Sequence, residues 1–258
     1  MEYEIFHLGE LVQMQAKRFG NRTAMRHRDD QSGQWLPISW QQFALRVEQT
    51  ACAMLANNVG VQEKIGVFSQ NMPEGLYTDF AAFSIRAITV PLYATSSEAQ
   101  VQYIVDDAQI RIMFVGEQQQ YDVATRVMPL CSTLERIVIY DDKVKRNPQD
   151  VASVYFSAFV KDVITDGRKA CLSEMRRQLT PEDIANILYT SGTTGEPKGV
   201  MLHHSNYNVQ WKVNMDVLPQ LHLPNQVSMN FLPLTHVFER AWTFLCFESG
   251  IEVCINTD

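Results

Sequence analysis

The sequence predicts an α/β fold, in which alternating strands and helices form mainly parallel sheets covered by helices. Three observations carry that expectation. Short β-branched runs alternate with segments whose apolar residues recur at helical spacing, in units of roughly 25 residues. Capping residues, Gly and Pro stand at the junctions. At 258 residues and 46% apolar content, the chain has the material for one large α/β domain or two smaller ones, each with a sizeable core.

Leu8, Leu11, Val12, Ala16 and Phe19 share one helical face, and Gly20 stops that helix. Ser39 with Gln42 forms a capping-box pattern that opens a helix running to about Asn58 and closed by Gly60. Lys64 to Ser69 reads as a strand, and Pro73 sits in the first turn of a helix that reaches Ile85. Ile88 to Tyr93 reads as a strand and Ser97 to Asp107 as a helix. Ile110 to Val115 and Arg136 to Tyr140 are strands around a helix from Asp122 to Cys131. Residues 141–170 are irregular and read as a surface excursion. Ile184 to Tyr189 is a buried strand, His204 to Leu218 a helix, Val227 to Leu232 a strand, His236 to Glu248 a helix and Ile251 to Ile255 a strand.

Charge and cysteine usage narrow the function classes. The 22 Lys and Arg against 29 Asp and Glu give a net charge of −7 with no long basic run, which argues against a nucleic-acid surface. A polyanionic small ligand would need a locally positive pocket. Cys52, Cys131, Cys171, Cys246 and Cys254 are odd in number and form no C-x-x-C pair, so neither zinc nor a disulfide framework is indicated. They read as reduced, mostly buried thiols of a cytoplasmic protein. The acidic start MEYEIFHLGE is no signal peptide, and no apolar run is long enough to span a bilayer, so membrane contact would be peripheral.

The richest segment runs from Tyr189 to Gly199, YTSGTTGEPKG. It follows an apolar strand and leads towards a helix, an arrangement that turns unpaired backbone N–H groups on an anion. Thr190, Ser191, Thr193 and Thr194 add hydroxyls, Gly192 and Gly195 permit close backbone approach, and Lys198 adds a positive charge. Neither the P-loop pattern nor the dinucleotide glycine fingerprint matches.

These eleven contiguous residues closely resemble the phosphate-binding signature of the adenylate-forming (AMP-binding) superfamily, which includes acyl-CoA synthetases, nonribosomal peptide adenylation domains and luciferase. Thr180-Pro-Glu-Asp before it and Val200 to Asn206 after it look alike too. Phe231 to Arg240, FLPLTHVFER, resembles the second family motif in its long-chain acyl-CoA synthetase form. Ile88 to Ser97 is similar to a segment of that subgroup, with Ala94 where a Pro is expected and Arg86-Ala87 where Gly is commoner.

The resemblance implies ATP-dependent activation of a long-chain fatty acid to its coenzyme A thioester through an acyl-adenylate, with Mg2+. Thr190 to Gly195, that is Thr190, Ser191, Gly192, Thr193, Thr194 and Gly195, would cradle the β- and γ-phosphates with Lys198 beside them, and Thr190 would reach the metal. His236 would donate a hydrogen bond where carboxylate and α-phosphate meet, and Phe238 would line the acyl channel. Each residue has a plainer reading: a solvated loop lysine, a helix cap at His236, a core aromatic at Phe238. Glu239 and Arg240 read either as a local ion pair or as a solvated helix face. His203 and His204 follow the loop without an assigned role.

The resemblance also marks what is missing. A Tyr-Gly-x-Thr-Glu segment, a ribose-binding Asp, a following Arg and a C-terminal Lys are not found in these residues. The chain therefore reads as the N-terminal part of the large domain of an acyl-CoA synthetase, inactive alone. Residues 61–217 would form one α/β subdomain, and 1–60 with 218–258 part of a second, with exposed apolar surface open to self-association. Two alternatives stand: a ligase for another carboxylic acid, and a noncatalytic nucleotide-binding module.

Overall fold

Seven strands of the chain line up in one sheet in the order β7-β6-β5-β3-β4-β8-β9. They are β3 (Lys64–Phe68), β4 (Ile88–Leu92), β5 (Ile112–Val115), β6 (Arg136–Ile139), β7 (Ser153–Tyr155), β8 (Ile184–Thr190) and β9 (Lys198–His203). A second sheet has the order β10-β11-β1-β2, from β1 (Thr23–Arg28), β2 (Trp35–Ser39), β10 (Val227–Asn230) and β11 (Glu252–Ile255). The structure is a computed structural model that describes residues 7–29, 32–190, 196–218, 221, 223 and 225–256.

Most neighbours in both sheets are parallel, as the strand–helix alternation predicts; β8 with β9 and β1 with β2 are antiparallel. The strands of the large sheet are apolar on both faces. Ile65, Val67, Ile112, Phe114 and Val138 join one core, while Phe68, Met113, Val115, Ile137 and Ile139 join another. Side chains alternate between faces with period two, so a continuous apolar run is what a strand covered on both sides requires.

Helices α4 (Glu98–Ala108) and α5 (Gln118–Val127) cover the second of these faces through Val101, Val105, Tyr121 and Ala124. On the first face lie α1 (Leu8–Phe19), α2 (Trp40–Ala56), α3 (Pro73–Ser84) and α9 (Val237–Glu248), in one core shared with the smaller sheet. Its centre is aromatic: Phe80 lies 5.6 Å from Phe43, 5.2 Å from Phe244 and 6.0 Å from Phe247 between ring centroids. Each such fully buried ring contributes about 1.5–3 kcal/mol of burial free energy.

The capping box at Ser39 is present in both directions. The helix ends before Gly60, however, at Ala56, and Asn58 rather than glycine takes the left-handed position, with φ 57°. Asn tolerates that region because its short amide side chain hydrogen-bonds locally. Helix α5 begins four residues earlier than the apolar pattern suggests, because Glu117 and Gln120 supply a capping box.

Residues 141–170 are more than a surface excursion. They contain β7 at the sheet edge, α6 (Phe156–Phe159) and the start of α7 (Asp166–Arg177), and Phe156, Phe159 and Val160 are buried. Strand β1 carries too many polar residues for periodicity to reveal it, and β2 is short and contains Pro37; pairing with β11 makes β1 a strand.

The largest departure concerns the glycine-rich segment. It does not run from strand into helix. Strand β9 intervenes and folds back on β8, with Thr190 opposite Lys198, before α8 (His204–Val217) begins. Strand β9 thus separates residues 191–195, which lie outside the described residues, from the N-terminus of α8.

Candidate functional site

Strands β4 and β8 are parallel neighbours, and both point their carboxyl ends at a cavity of about 440 Å³. Crevices outside the carboxyl ends of such strands are the usual ligand sites of α/β sheets. Leu92 and Tyr93 come from the end of β4, Leu188, Tyr189 and Thr190 from the end of β8. Pro197, Thr235, His236 and Val237 also line it.

Tyr189 fixes the stem of the hairpin. Its hydroxyl donates to the Asp107 carboxylate of α4, and its ring meets Tyr103 edge-on at 6.5 Å. Burial and the Asp107 charge both push its phenol upward, so it stays a protonated donor at neutral pH. Gly199 lies opposite on β9. A Cβ there would come within 2.8 Å of Ile187 Cγ2 and 3.2 Å of Tyr189 Cζ, so the close packing of β9 on the Ile187 side chain favours a glycine.

Thr190 and Lys198 are both exposed at the hairpin tip, and Thr190 lines the cavity. Ser191, Gly192, Thr193, Thr194 and Gly195, the core of the expected phosphate cradle, lie outside the described residues.

His236 is the N-cap of α9, and its Nδ1 accepts the Phe238 N–H at 3.3 Å. That bond assigns the ring proton to Nε2, leaving a donor on the unoccupied side of the ring. The capping reading and the cavity position therefore hold together: one nitrogen holds the helix, the other is available to a ligand.

Phe238 is 61% exposed and does not line the cavity; Val237 does. Phe238 lies on the outward side of the first turn of α9, so it is not a core aromatic. Glu239 and Arg240 form neither a local pair nor a solvated face. Both are buried: Glu239 accepts from the Asn230 amide at 2.8 Å, and Arg240 pairs with Asp79, 161 positions away, at 2.8 Å. Sequence spacing gives no sign of that partner. His204 does not line the cavity; it is buried against His7 with ring centroids 3.4 Å apart, and His203 contacts the Glu182 carbonyl.

Ser96, Gln100 and Ile104 line the cavity although no residue-level reading assigns them a role. Their signal was the capping pattern Ser97-x-x-Gln100, which fixes α4 beside the end of β4. Among the described residues no group of three or more His, Cys, Asp or Glu could hold a metal, so a cation here would rest on Thr190 and on ligand oxygens. No described helix is long and apolar enough to cross a membrane.

The profile of the AMP-binding enzyme family matches residues 12–258. Fatty acyl-CoA synthetase A of Dictyostelium discoideum is 32% identical over 230 residues, covering 86% of this chain and 33% of that protein. Long-chain-fatty-acid–CoA ligase 6 of Homo sapiens is 30% identical over 248 residues, covering 92% and 34%. The chain thus spans about a third of the length of the curated relatives it matches.

Among solved structures, a long-chain-fatty-acid–CoA ligase from Archaeoglobus fulgidus superposes with a TM-score of 0.74 at 20% identity, covering 99% of this chain and 48% of that one. The anthranilate CoA ligase AuaEII in complex with anthranoyl-AMP superposes at 0.79 and 18% identity, covering 98% and 45%. These likenesses establish the fold of adenylate-forming enzymes. With the profile extending over nearly every residue described above, the chain belongs to the AMP-binding enzyme family.

Proposed function

We propose that the chain supplies the phosphate-binding and carboxylate-binding side of an ATP-dependent long-chain fatty acid–CoA ligase. The observation that carries this reading is the meeting of the hairpin end Thr190 and the helix cap His236 on one cavity at the carboxyl ends of β4 and β8. The names of the relatives favour a fatty acid.

The chemistry has two steps. A carboxylate oxygen of the fatty acid attacks the α-phosphorus of ATP, and pyrophosphate leaves. The thiolate of coenzyme A then attacks the acyl carbon, and AMP leaves. A carboxylate is a weak nucleophile and the triphosphate is strongly anionic, so alignment and charge neutralisation supply most of the acceleration. Thr190 and the residues up to Gly195 hold the β- and γ-phosphates, with Lys198 beside them. His236 donates from Nε2 to the carboxylate or the α-phosphate. Mg2+, when bound, offsets the phosphate charge. Thr190 would hold it through its hydroxyl, an oxygen ligand of the kind a hard cation beside phosphates takes.

Residues 61–217 are proposed as one subdomain, with 1–60 and 218–258 contributing to another. Adenine, ribose and coenzyme A contacts come from family segments outside these residues. Exposed Val209, Val213 and Val217 on one face of α8, with Val227 and Met229 on β10, support self-association. A cytoplasmic location with peripheral membrane contact suits a lipid substrate.

A titration of the chain with Mg-ATP, followed by 31P NMR, tests the phosphate site. Broadening of the β and γ resonances, lost in Lys198→Ala, is expected. Unbroadened resonances at saturating protein refute the reading.

A further inference from the structure

Asp79 on α3 and Arg240 on α9 are each 1% exposed. Arg240 Nη1 donates to Asp79 Oδ2 at 2.8 Å, and its Nε donates to the Leu234 carbonyl, also at 2.8 Å. The guanidinium carbon sits 5.6 Å from the Phe244 ring centroid. Leu234 stands two positions before His236. Its N–H donates to Asn71 Oδ1 at 2.8 Å, and the Asn71 amide donates to the Leu232 carbonyl at 2.8 Å and to Asn230 Oδ1 at 2.7 Å.

The other oxygen of Asp79 leads to β4 and β8. Its Oδ1 accepts the Thr89 hydroxyl of β4 at 2.6 Å. Thr89 Oγ1 in turn accepts the Asn186 amide of β8, and Asn186 Oδ1 accepts the Tyr207 hydroxyl of α8 at 2.7 Å. Asn186 and Thr89 are register partners four positions before Thr190 and Tyr93, which frame the cavity. An unbroken run of hydrogen bonds therefore joins the strand ending at Thr190 to the loop carrying His236.

Stability alone is a weak reason for burying two ions. Desolvation costs several kcal/mol per ion, and a well-packed neutral replacement is often as stable or more so. What the pair provides that an apolar contact does not is direction: the planar fork of Arg240 bonds two fixed acceptors at once.

We infer that Asp79 and Arg240 are positioning residues, through which the β4–β8 strand pair sets the place of His236 relative to Thr190 on the cavity they both line. The inference rests on the functional reading above, in which His236 meets the reacting oxygens. A lysine at 240 would keep the charge on Asp79 but offers a compact ammonium in place of the fork, so the tie to Leu234 is lost.

The test uses the 258-residue chain with its histidine rings isotopically labelled, His236 being assigned by its loss in His236→Asn. Mg-ATP is the probe, read by the β/γ 31P broadening and by the shift of the His236 resonance. Single variants that strand a buried charge lose stability and can fail to fold, so the decisive variant is the neutral double, Asp79→Asn with Arg240→Met. Arg240→Lys is run beside it.

In the wild-type chain Mg-ATP broadens the phosphates and shifts His236. In the double variant the melting temperature recovers towards the wild-type value and the 31P broadening persists, while the His236 shift is lost. Arg240→Lys also loses it. A double variant whose His236 shifts as in the wild type overturns the inference and leaves the functional reading intact. A wild-type chain without 31P broadening removes the functional reading, and the inference with it.

Discussion

Gly199 stands directly opposite Tyr189 in the β8–β9 hairpin, and a Cβ placed on it would lie 3.2 Å from Tyr189 Cζ and 2.8 Å from Ile187 Cγ2. The missing atom leaves room for the Ile187 side chain and, beside it, for the ring of Tyr189. Its hydroxyl then reaches Asp107 on α4 and locks the base of the glycine-rich tip.

Gly199→Ala should therefore act chiefly through Ile187, with Tyr189 giving way less. The Ile187 side chain must shift or β9 must move away, either of which is an overpacking cost of about 1–3 kcal/mol. Denaturant unfolding measures the loss. Tyr189→Phe keeps the ring and loses only the bond to Asp107, so its smaller cost separates crowding from the hydrogen bond. Equal stability of Gly199→Ala and the wild type would show that the packing is slack.

The buried pair gives a second expectation. Asp79→Asn or Arg240→Met alone should cost roughly 3–5 kcal/mol, because each leaves one charge buried without its partner. The double variant should cost far less than the two singles added. A thermal or chemical unfolding cycle over the four proteins checks this, and additive losses would mean that the two side chains do not interact.

Where local chemistry decides, the sequence was readable. Ser39 with Gln42, Pro73 and Gly20 marked real helix ends, because caps and turns depend on a few adjacent residues. The parallel strands β3 to β6 were visible because burial on both faces demands continuous apolar runs. Strands β1 and β9 were not. Thr23 to Arg28 and Lys198 to His203 are mostly polar or exposed, and pairing with distant or newly folded neighbours makes them strands. Likewise His236 and Thr190 stood out within motifs, whereas Asp79 and Arg240 are distant in sequence and joined only by the fold.

Acid should weaken the fold through His7. Burial holds its imidazole down at about 4 against an ordinary 6.5, although the neighbouring Asp183 carboxylate pulls the other way and Arg86 adds to the lowering. Burial drives His204 down too, with His7 and His203 adding to the effect. The unfolded chain then binds more protons, so this contribution is complete above pH 6.5 and is lost as pH falls towards 4. For His7 alone it amounts to about 3 kcal/mol. His7→Asn keeps an acceptor for the Gly9 N–H and should flatten the stability profile between pH 4 and 6.5. An unchanged slope in unfolding experiments over that window would exclude the pair as the acid-sensitive element.

Glu248 works in the opposite sense. Burial raises its carboxyl to about 7, only partly offset by Arg18, and its Oε2 has no hydrogen-bond partner. A raised carboxyl favours the fold fully below its unfolded value near 4.5, and that benefit disappears as pH rises through 7. Glu248→Gln cannot ionise. It should match the wild type at pH 4 and exceed it by about 2–3 kcal/mol at pH 8. Melting curves at the two pH values decide it, and a variant equally stable at both would place the carboxylate in contact with water.

The cavity walls predict how far the chain can take the reaction alone. Among the described lining residues there is no Asp, Glu, Lys or Arg; His236 and two tyrosines are the only titratable groups. Departure of pyrophosphate concentrates negative charge against which only Lys198, at the end of the hairpin and outside these walls, is proposed, and a missing transition-state donor typically costs about 100- to 1000-fold each. The relatives matched are about three times longer than this chain, which leaves room in them for further charged groups. The isolated chain should therefore bind Mg-ATP weakly and show no ATP–pyrophosphate exchange with a long-chain fatty acid. Radiolabelled pyrophosphate appearing in ATP, dependent on the fatty acid and abolished by His236→Ala, would show that these residues alone complete the adenylation step.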